Sequence, residues 1–484
     1  MEKTWANSGL DLHLDLPRSR VRAGLENALR DAVRDGRLHP GVRLPPSRAL
    51  AADLGIARNT VADAYGQLVA EGWLTARTGA GTWVTPHRPR PRPAPAAAPE
   101  EIAPPRYDLR AGVPDLGAFP HRAWLAAART ALAAVPAHAL GYPDPRGVPQ
   151  LRAALAAYLS RARGVSVTGD RIVVCSGFAH GLAVICQLLR ARGATAIAIE
   201  GYGHRAHRRV AEAHGLRCRA LPVDGDGAAP GRLGRAAGAV LTPAHQFPLG
   251  VTLAPGRRRS VIEWAAASGG LVIEDDYDGE FRYDRQPVGA MQALAPDHVV
   301  YAGTASKSLA PGLRLGWLAV PGPLLDEVVA AKEAVGAHAS TLDQLAMAEF
   351  LTSGGYDRQI RHARLAYRRR RDRLAATVHH QAPQVAVSGI AAGLHALLRL
   401  PAGQDEDGVV ASAAAHGLAI EGLASYHAGG ARHGPALVIG YARPPEYAFT
   451  AALARLGAVL AAASRAHRSL VAGHLGASLP GRPH

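Results

Sequence analysis

The sequence predicts an α/β protein in two parts, a small helical head carrying a helix-turn-helix and a hairpin, then a large domain built around a sheet. Three observations predict it. Proline alternates with Arg and Ala from about 85 to 106, which forbids both helix and central strand and marks a semi-rigid spacer. Before it, apolar residues recur at helical spacing around a glycine turn. After it, strand-like runs at 171–174, 196–199, 239–241, 271–273, 299–302 and 317–320 alternate with Ala/Leu-rich helical stretches, the order of an α/β sheet. The divisions are a head over 12–85, a linker over 86–106, a large domain over 107–465 and a weakly ordered tail over 466–484.

Composition narrows the function classes. The chain has 484 residues, 48% of them hydrophobic and 19% charged, which is globular composition and excludes global disorder. No apolar run reaches the ~18 residues of a membrane span, and the start, Met1-Glu2-Lys3-Thr4-Trp5, is no signal peptide, so a cytoplasmic protein with no membrane partner is expected. Cys175, Cys186 and Cys218 have no metal-ligand spacing, and neither a disulfide framework nor a metal site is expected. Lys+Arg number 55 against 39 Asp+Glu, a net charge of +16 that allows a nucleic-acid partner without requiring one. Lysine stands only at 3, 307 and 332, so Lys307 and Lys332 draw attention as positions where an amine serves and arginine does not.

In the head, Val21, Leu25, Leu29 and Val33 recur every four residues and predict an amphipathic helix over 20–35, ended by Gly36 and Pro40-Gly41. Ser47 is read as the N-cap of a short helix to Leu54, Gly55 as the turn, and 58–71 as a second helix burying Val61, Tyr65 and Leu68. Two short strands, at 73–76 and 82–84, then flank the turn Thr78-Gly79-Ala80-Gly81 and read as a wing. With Leu44-Pro45-Pro46-Ser47-Arg48, Arg58-Asn59-Thr60-Val61, Ala64-Tyr65, Leu68, Glu71-Gly72 and Gly79-Ala80-Gly81-Thr82, the segment resembles the winged helix-turn-helix of GntR-type regulators. The resemblance implies that Arg48, Arg58, Asn59 and Thr60 meet double-stranded DNA, with Gly79 at the wing tip. Arg suits guanine edges, and Thr and Asn suit phosphates. Ala57 stands where the family carries a capping Ser or Thr. The run Arg368-Arg369-Arg370-Arg371, in a long helical pattern, reads as a solvated face.

In the large domain, Tyr301-Ala302-Gly303-Thr304-Ala305-Ser306-Lys307 ends a strand in hydroxyls and a lysine, with Arg314 seven positions on. Hydroxyls and a guanidinium suit a phosphate dianion, and an amine beside them suits an aldehyde. Those are the needs of pyridoxal 5'-phosphate. Upstream, Leu271-Val272-Ile273 runs into Glu274-Asp275-Asp276-Tyr277-Asp278, placing acids and a phenol at a strand's carboxyl end, where open α/β sheets bind ligands.

Together with Gly112-Val113-Pro114-Asp115, Tyr142-Pro143-Asp144-Pro145, Ser176-Gly177 and His245-Gln246-Phe247-Pro248-Leu249-Gly250, these strings resemble the fold-type I aminotransferases, and more closely the aminotransferase-like domain of MocR-subfamily GntR regulators. The resemblance implies a fold-type I PLP-binding domain in which Lys307 forms an aldimine, Asp275 pairs with the ring nitrogen and Tyr277 with the ring oxygen. Thr304, Ser306, Arg314 and the Ser176-Gly177 turn would cradle the phosphate. Tyr142 would reach a partner's cofactor across a homodimer interface, and His204 takes the ring-stacking place.

Two departures bear on activity. Phe247 replaces the Asn of the aminotransferase Asn-Pro-x-Gly turn. No Arg stands in register at 438–442 to hold a substrate carboxylate, though Arg432 and Arg443 are near. The expectation is a regulator, not an enzyme, that senses PLP or an amino compound and controls vitamin B6 or amino-compound genes, with a residual half-reaction possible in principle. An active aminotransferase with an accessory DNA head is the alternative.

Overall fold

A computed structural model describes residues 16, 19–86, 105–283, 288–336, 338–430 and 432–476. The chain divides into two compact units, Met1–Ala103 and Pro104–His484, at a point inside the proline-rich stretch. Most of the linker expected over 86–106 lies outside the described residues.

In the first unit, α1 (Val21–Arg34), α2 (Ser47–Leu54) and α3 (Arg58–Ala70) precede a hairpin of β1 (Leu74–Arg77) and β2 (Gly81–Val84). Leu25, Leu29 and Val33 of α1 bury against Leu50, Val61, Tyr65 and Leu68 and the hairpin's Leu74 and Val84. That is the stripe read from the sequence, and its burial is what stabilises such short helices. Gly55 makes the turn into α3 at φ +66, a left-handed conformation that glycine adopts without strain. One expectation is corrected: Pro46, not Ser47, is the N-cap of α2, and Ser47 is its first helical residue. The Tyr65 hydroxyl donates to the carbonyl of Pro45 at 2.9 Å, anchoring the segment that enters α2. Ala57 caps α3 without a side-chain bond, as its methyl dictates.

The second unit is built on a seven-stranded sheet. Its strands are β3 (Ile172–Cys175), β4 (Ala196–Glu200), β5 (Arg217–Leu221), β6 (Gly238–Leu241), β7 (Leu271–Asp276), β8 (Val299–Thr304) and β9 (Gly316–Ala319), in spatial order β3-β9-β8-β7-β6-β4-β5. All run parallel except β9, which is antiparallel to both neighbours. The strands are apolar because both faces are covered. Val173, Ile197, Ile273, Val300 and Leu318 pack with Leu182, Ile185 and Leu189 of the helix Phe178–Ala191. Val272 and Ala239 belong to the cluster on the opposite face. A second, antiparallel sheet (Ala386–Ser388, His395–Arg399, Ala436–Gly440 and Glu421–Gly422) follows in the chain.

Two further expectations are corrected. The last helix, Glu446–Gly476, runs on past 465, so the chain is helical through 476, and only 477–484 lie outside the described residues. By length and composition its part Glu446–His467 could cross a membrane. Phe449, Ala452, Leu453, Leu456, Val459 and Leu460, however, are buried in the core. The arginine run is not uniformly solvated: Arg368 and Arg369 are exposed, but Arg370 is 3% exposed. Its guanidinium lies 2.7 Å from Asp115 and 2.9 Å from Glu446 and donates to the carbonyls of Ala442 and Pro444. The helix period turns one arginine of four inward, where carbonyls and a carboxylate await it. Removing one partner of a buried pair leaves the other uncompensated, so Arg370→Ala should destabilise the unit by about 3–5 kcal/mol in denaturant unfolding. Arg368→Ala should leave the midpoint unchanged.

Candidate functional site

The carboxyl ends of the sheet strands open onto a cavity of about 350 Å³ lined by Glu200, Thr242, Asp275, Tyr277, Thr304, Ser306, Lys307, Arg314 and Gly177, among others. Strand alternation decides which acid of the Glu274-Asp275-Asp276 run enters it. Asp275 follows Leu271 and Ile273 on one face of β7. On the other face, Glu274 accepts from the backbone N–H groups of Met291 and Gln292, each at 2.8 Å, and Asp276 accepts from Arg163 at 2.6 Å and from the Tyr301 hydroxyl at 2.8 Å. Those two acids are structural. Asp275 is 4% exposed, and its Oδ1 has no hydrogen-bond partner. Burial pushes its carboxyl well above the usual range, opposed by the nearby Lys307 amine.

Lys307 follows β8 and donates from Nζ to the Gly112 carbonyl at 2.7 Å. Burial lowers its pKa, which raises the share of free amine at neutral pH. The Thr304 hydroxyl donates to the Ser306 hydroxyl at 2.9 Å. Arg314 sits at φ +50, a strained conformation for a residue with a Cβ, and donates to the Ser176 carbonyl at 2.6 Å. Gly177, at φ +92, is the N-cap of Phe178–Ala191, so this helix starts at the cavity wall and presents unpaired N–H groups, an anion-binding arrangement. A Cβ on Gly316 would lie 2.8 Å from the Gly177 Cα, which is why β9 begins with glycine.

Of the residues expected at the site, Lys307, Asp275, Tyr277, Arg314, Thr304, Ser306, Gly177 and His204 line one cavity. Ser176 contributes its backbone. Tyr142 is not brought to it: its side chain is 107% exposed, outside the cavity of its own chain. Arg432 and Arg443 line other clefts, and Arg443 lies 3.0 Å from Asp108.

Several site residues escaped the sequence reading. Glu200 accepts from the Thr242 hydroxyl at 2.6 Å and from Gln246 at 3.1 Å, and burial raises its pKa to about 7. His207 and His395 line the cavity, and burial holds both neutral, with pKa values of about 3. The ring of Phe247 packs near-parallel to that of His204 at 5.9 Å and edge-on to that of Tyr277 at 6.0 Å. Only the tertiary fold assembles these, although the position of Glu200 at a strand's carboxyl end was a readable signal. Behind Tyr277, buried His245, Asp278 and His395 offer ligand atoms within 4.8 Å of one another, the spacing of a metal site where none was expected. Hydrogen bonds already engage all three residues: His245 with Asp278 at 2.8 Å, and His395 with the Pro248 carbonyl at 3.1 Å.

On the head, Arg48, Arg58, Asn59 and Gly79 are exposed and Thr60 is half-buried. Arg48 and Arg58 form no ion pair among the described residues. Arg43 and Arg77, not singled out from the sequence, both lie over the wing's Trp83, at 5.7 and 5.6 Å from its centroid.

Residues 107–424 match the family of class I and II aminotransferases, and residues 22–84 match the bacterial regulatory proteins of the gntR family. The chain is 35% identical over 428 residues to the HTH-type pyridoxine biosynthesis transcriptional regulator PdxR of Corynebacterium glutamicum, covering 87% of this chain and 92% of that one. It is 31% identical to the probable rhizopine catabolism regulatory protein MocR of Rhizobium meliloti, over 75% of this chain and 77% of that one. Among solved structures, an archaeal alanine:glyoxylate aminotransferase superposes with a TM-score of 0.67 at 24% identity, covering 73% of this chain and 90% of that chain. That likeness shows the fold of the second unit. With a gntR-type head before an aminotransferase domain, over a length shared with PdxR and MocR, the chain belongs to the MocR type of GntR-family transcriptional regulators.

Proposed function

We propose that this regulator senses pyridoxal 5'-phosphate itself and adjusts transcription of genes for vitamin B6 supply. The observation that carries the reading is the buried, unpartnered carboxylate oxygen of Asp275, in one cavity with the Lys307 amine and the Arg314 guanidinium. Such an orphan is expensive unless a cation or a donor meets it. A protonated pyridine nitrogen is such a group. The donor set fits the rest of the molecule: Tyr277 for the ring oxygen, His204 for the ring face, and Thr304, Ser306, Arg314 and the helix start at Gly177 for the phosphate. When bound, pyridoxal phosphate supplies an aldehyde that amines take up reversibly, and Lys307 is the amine this chain offers.

What the cavity lacks favours the cofactor as the signal. Among the described lining residues the cationic side chains are Lys307 and Arg314, and His204, His207 and His395 are kept toward the neutral form by burial. An α-amino acid's carboxylate would find no free guanidinium, which also weighs against the aminotransferase alternative. An amine without a carboxylate is the second reading. The name of the 35% identical relative, a pyridoxine biosynthesis regulator, supports the choice of target genes. We further propose a homodimer bound to paired half-sites on duplex DNA, supported by the exposed apolar side chains of Leu125, Leu132, Leu140 and Tyr142.

Two experiments test this. Added pyridoxal phosphate should give the wild type a near-visible absorption band, and borohydride should then add the cofactor's mass to the protein. Lys307→Ala should gain no such mass. No band and no mass on the wild type would overturn the cofactor reading. Separately, Arg58→Ala should weaken binding to a duplex selected by the protein from a random-sequence pool by about 1–3 kcal/mol, a 5- to 150-fold loss. Arg368→Ala should bind as the wild type does; equal binding by both variants would contradict the assignment of the recognition helix.

A further inference from the structure

Phe247 occupies the place where an aminotransferase turn carries Asn. The preceding residue but one, His245, is 3% exposed and lies behind Tyr277 rather than in the cavity wall. Its Nδ1 is 2.8 Å from Asp278 Oδ2 and 3.2 Å from the Tyr277 hydroxyl, and Asp278 is 2% exposed. These contacts fix a direction. A bare Nδ1 would set a lone pair against a buried carboxylate at 2.8 Å, so Nδ1 carries the proton and donates it to Asp278. The Tyr277 oxygen then meets an N–H, which it can only accept. The Asp278 carboxylate also stands beside that hydroxyl, and with its Oδ2 taken by the Nδ1–H the phenol's own hydrogen can turn to an acceptor in the cavity.

We infer that His245 is a positioning residue: held in one tautomer by Asp278, it commits the Tyr277 hydroxyl to act as a donor toward an anionic oxygen of the ligand in the cavity. The neighbouring groups are consistent with this. Burial, with Asp278 and Asp275 beside it, holds the Tyr277 phenol well above its ordinary pKa, hence protonated and able to donate. His395, whose ring lies 5.0 Å from that of His245, is held neutral, and its contact with the carbonyl of Pro248 requires Nε2–H to donate there, so it does not compete for the His245 proton. The other titratable and charged groups around this cluster are Glu200 and Lys307 on the cavity side, and Glu280, Tyr283, Tyr441, Arg163 and Arg282 on the Asp278 side.

The inference rests on the cofactor reading, and the test separates the two. The measurement is the pH midpoint of the near-visible band of protein loaded with pyridoxal phosphate. A donor to an anionic oxygen lowers that midpoint, so losing it raises the midpoint. His245→Leu removes the N–H donor and leaves the Tyr277 hydroxyl to turn toward the Asp278 carboxylate. It should raise the midpoint by about one pH unit, the size of one hydrogen bond to a charged group. If the leucine variant does not fold, His245→Met makes the same test. In a Tyr277→Phe background the same substitution should produce no further shift, which a general loosening of the cavity would not respect. An unmoved midpoint, or an equal shift with and without the Tyr277 hydroxyl, would overturn the inference while leaving the cofactor reading intact. Wild type without any band would defeat both.

Discussion

Everything at the cavity depends on one buried carboxylate oxygen left without a partner. Asp275 sits at the end of a strand whose other two acids face away from the cavity, Glu274 held by a pair of backbone N–H groups and Asp276 through its Oδ2 by Arg163 and Tyr301. A buried carboxylate in this state favours its proton, as its raised pKa records. A ligand that brings a positive N–H to Oδ1 would stabilise the charged form, and one without it would leave the orphan in place. Discrimination of that kind comes from an unmet buried group more than from shape. The rest of the cavity is arranged around this point: an amine from the end of β8, an anion cradle where a helix starts, and aromatic rings between.

The turn from Pro243 to Gly250 departs from the aminotransferase turn and still ties the elements around the cavity together. Gln246 bonds through its amide nitrogen to Glu200 and to the carbonyls of Tyr202 and Phe247, and through its oxygen to the Leu249 N–H, and so ties the turn to the strand ends. Phe247 packs on Tyr277, His204, His395 and Tyr426. His245 sits behind Tyr277. His245 and Gln246 support cavity residues from outside the wall, and Phe247 does so while lining the cavity itself, the kind of packing on which site geometry depends.

Much of this was legible in the sequence. All six strand-like runs became strands of the main sheet, because continuous apolar stretches bounded by turns are what a sheet covered on both faces requires. The head followed from four-residue periodicity and one glycine. Eight residues expected at the cavity line it, because the motifs that carried them are local: a strand end, a tight turn, a lysine directly after a serine. What escaped the reading is non-local. Arg370 looked solvated until the fold brought Asp115 and the carbonyls of 442 and 444 to it. Glu200 and His395 come from strands of different sheets, Thr242 from the segment after β6 and His207 from the helix Arg205–Ala213. The N-cap of α2 shifted by one residue because the extended Pro46 already ends the preceding segment.

For a ligand at Lys307 to change what the head does on DNA, its affinity must differ between two states of the protein. The direct measurement is the affinity of the full chain for its self-selected duplex, by fluorescence anisotropy, with pyridoxal phosphate titrated in and with Lys307→Ala alongside. Wild-type affinity should change and saturate with pyridoxal phosphate, and the variant's should not change. An affinity that stays constant while the cofactor demonstrably binds would contradict the proposal that pyridoxal phosphate is the signal.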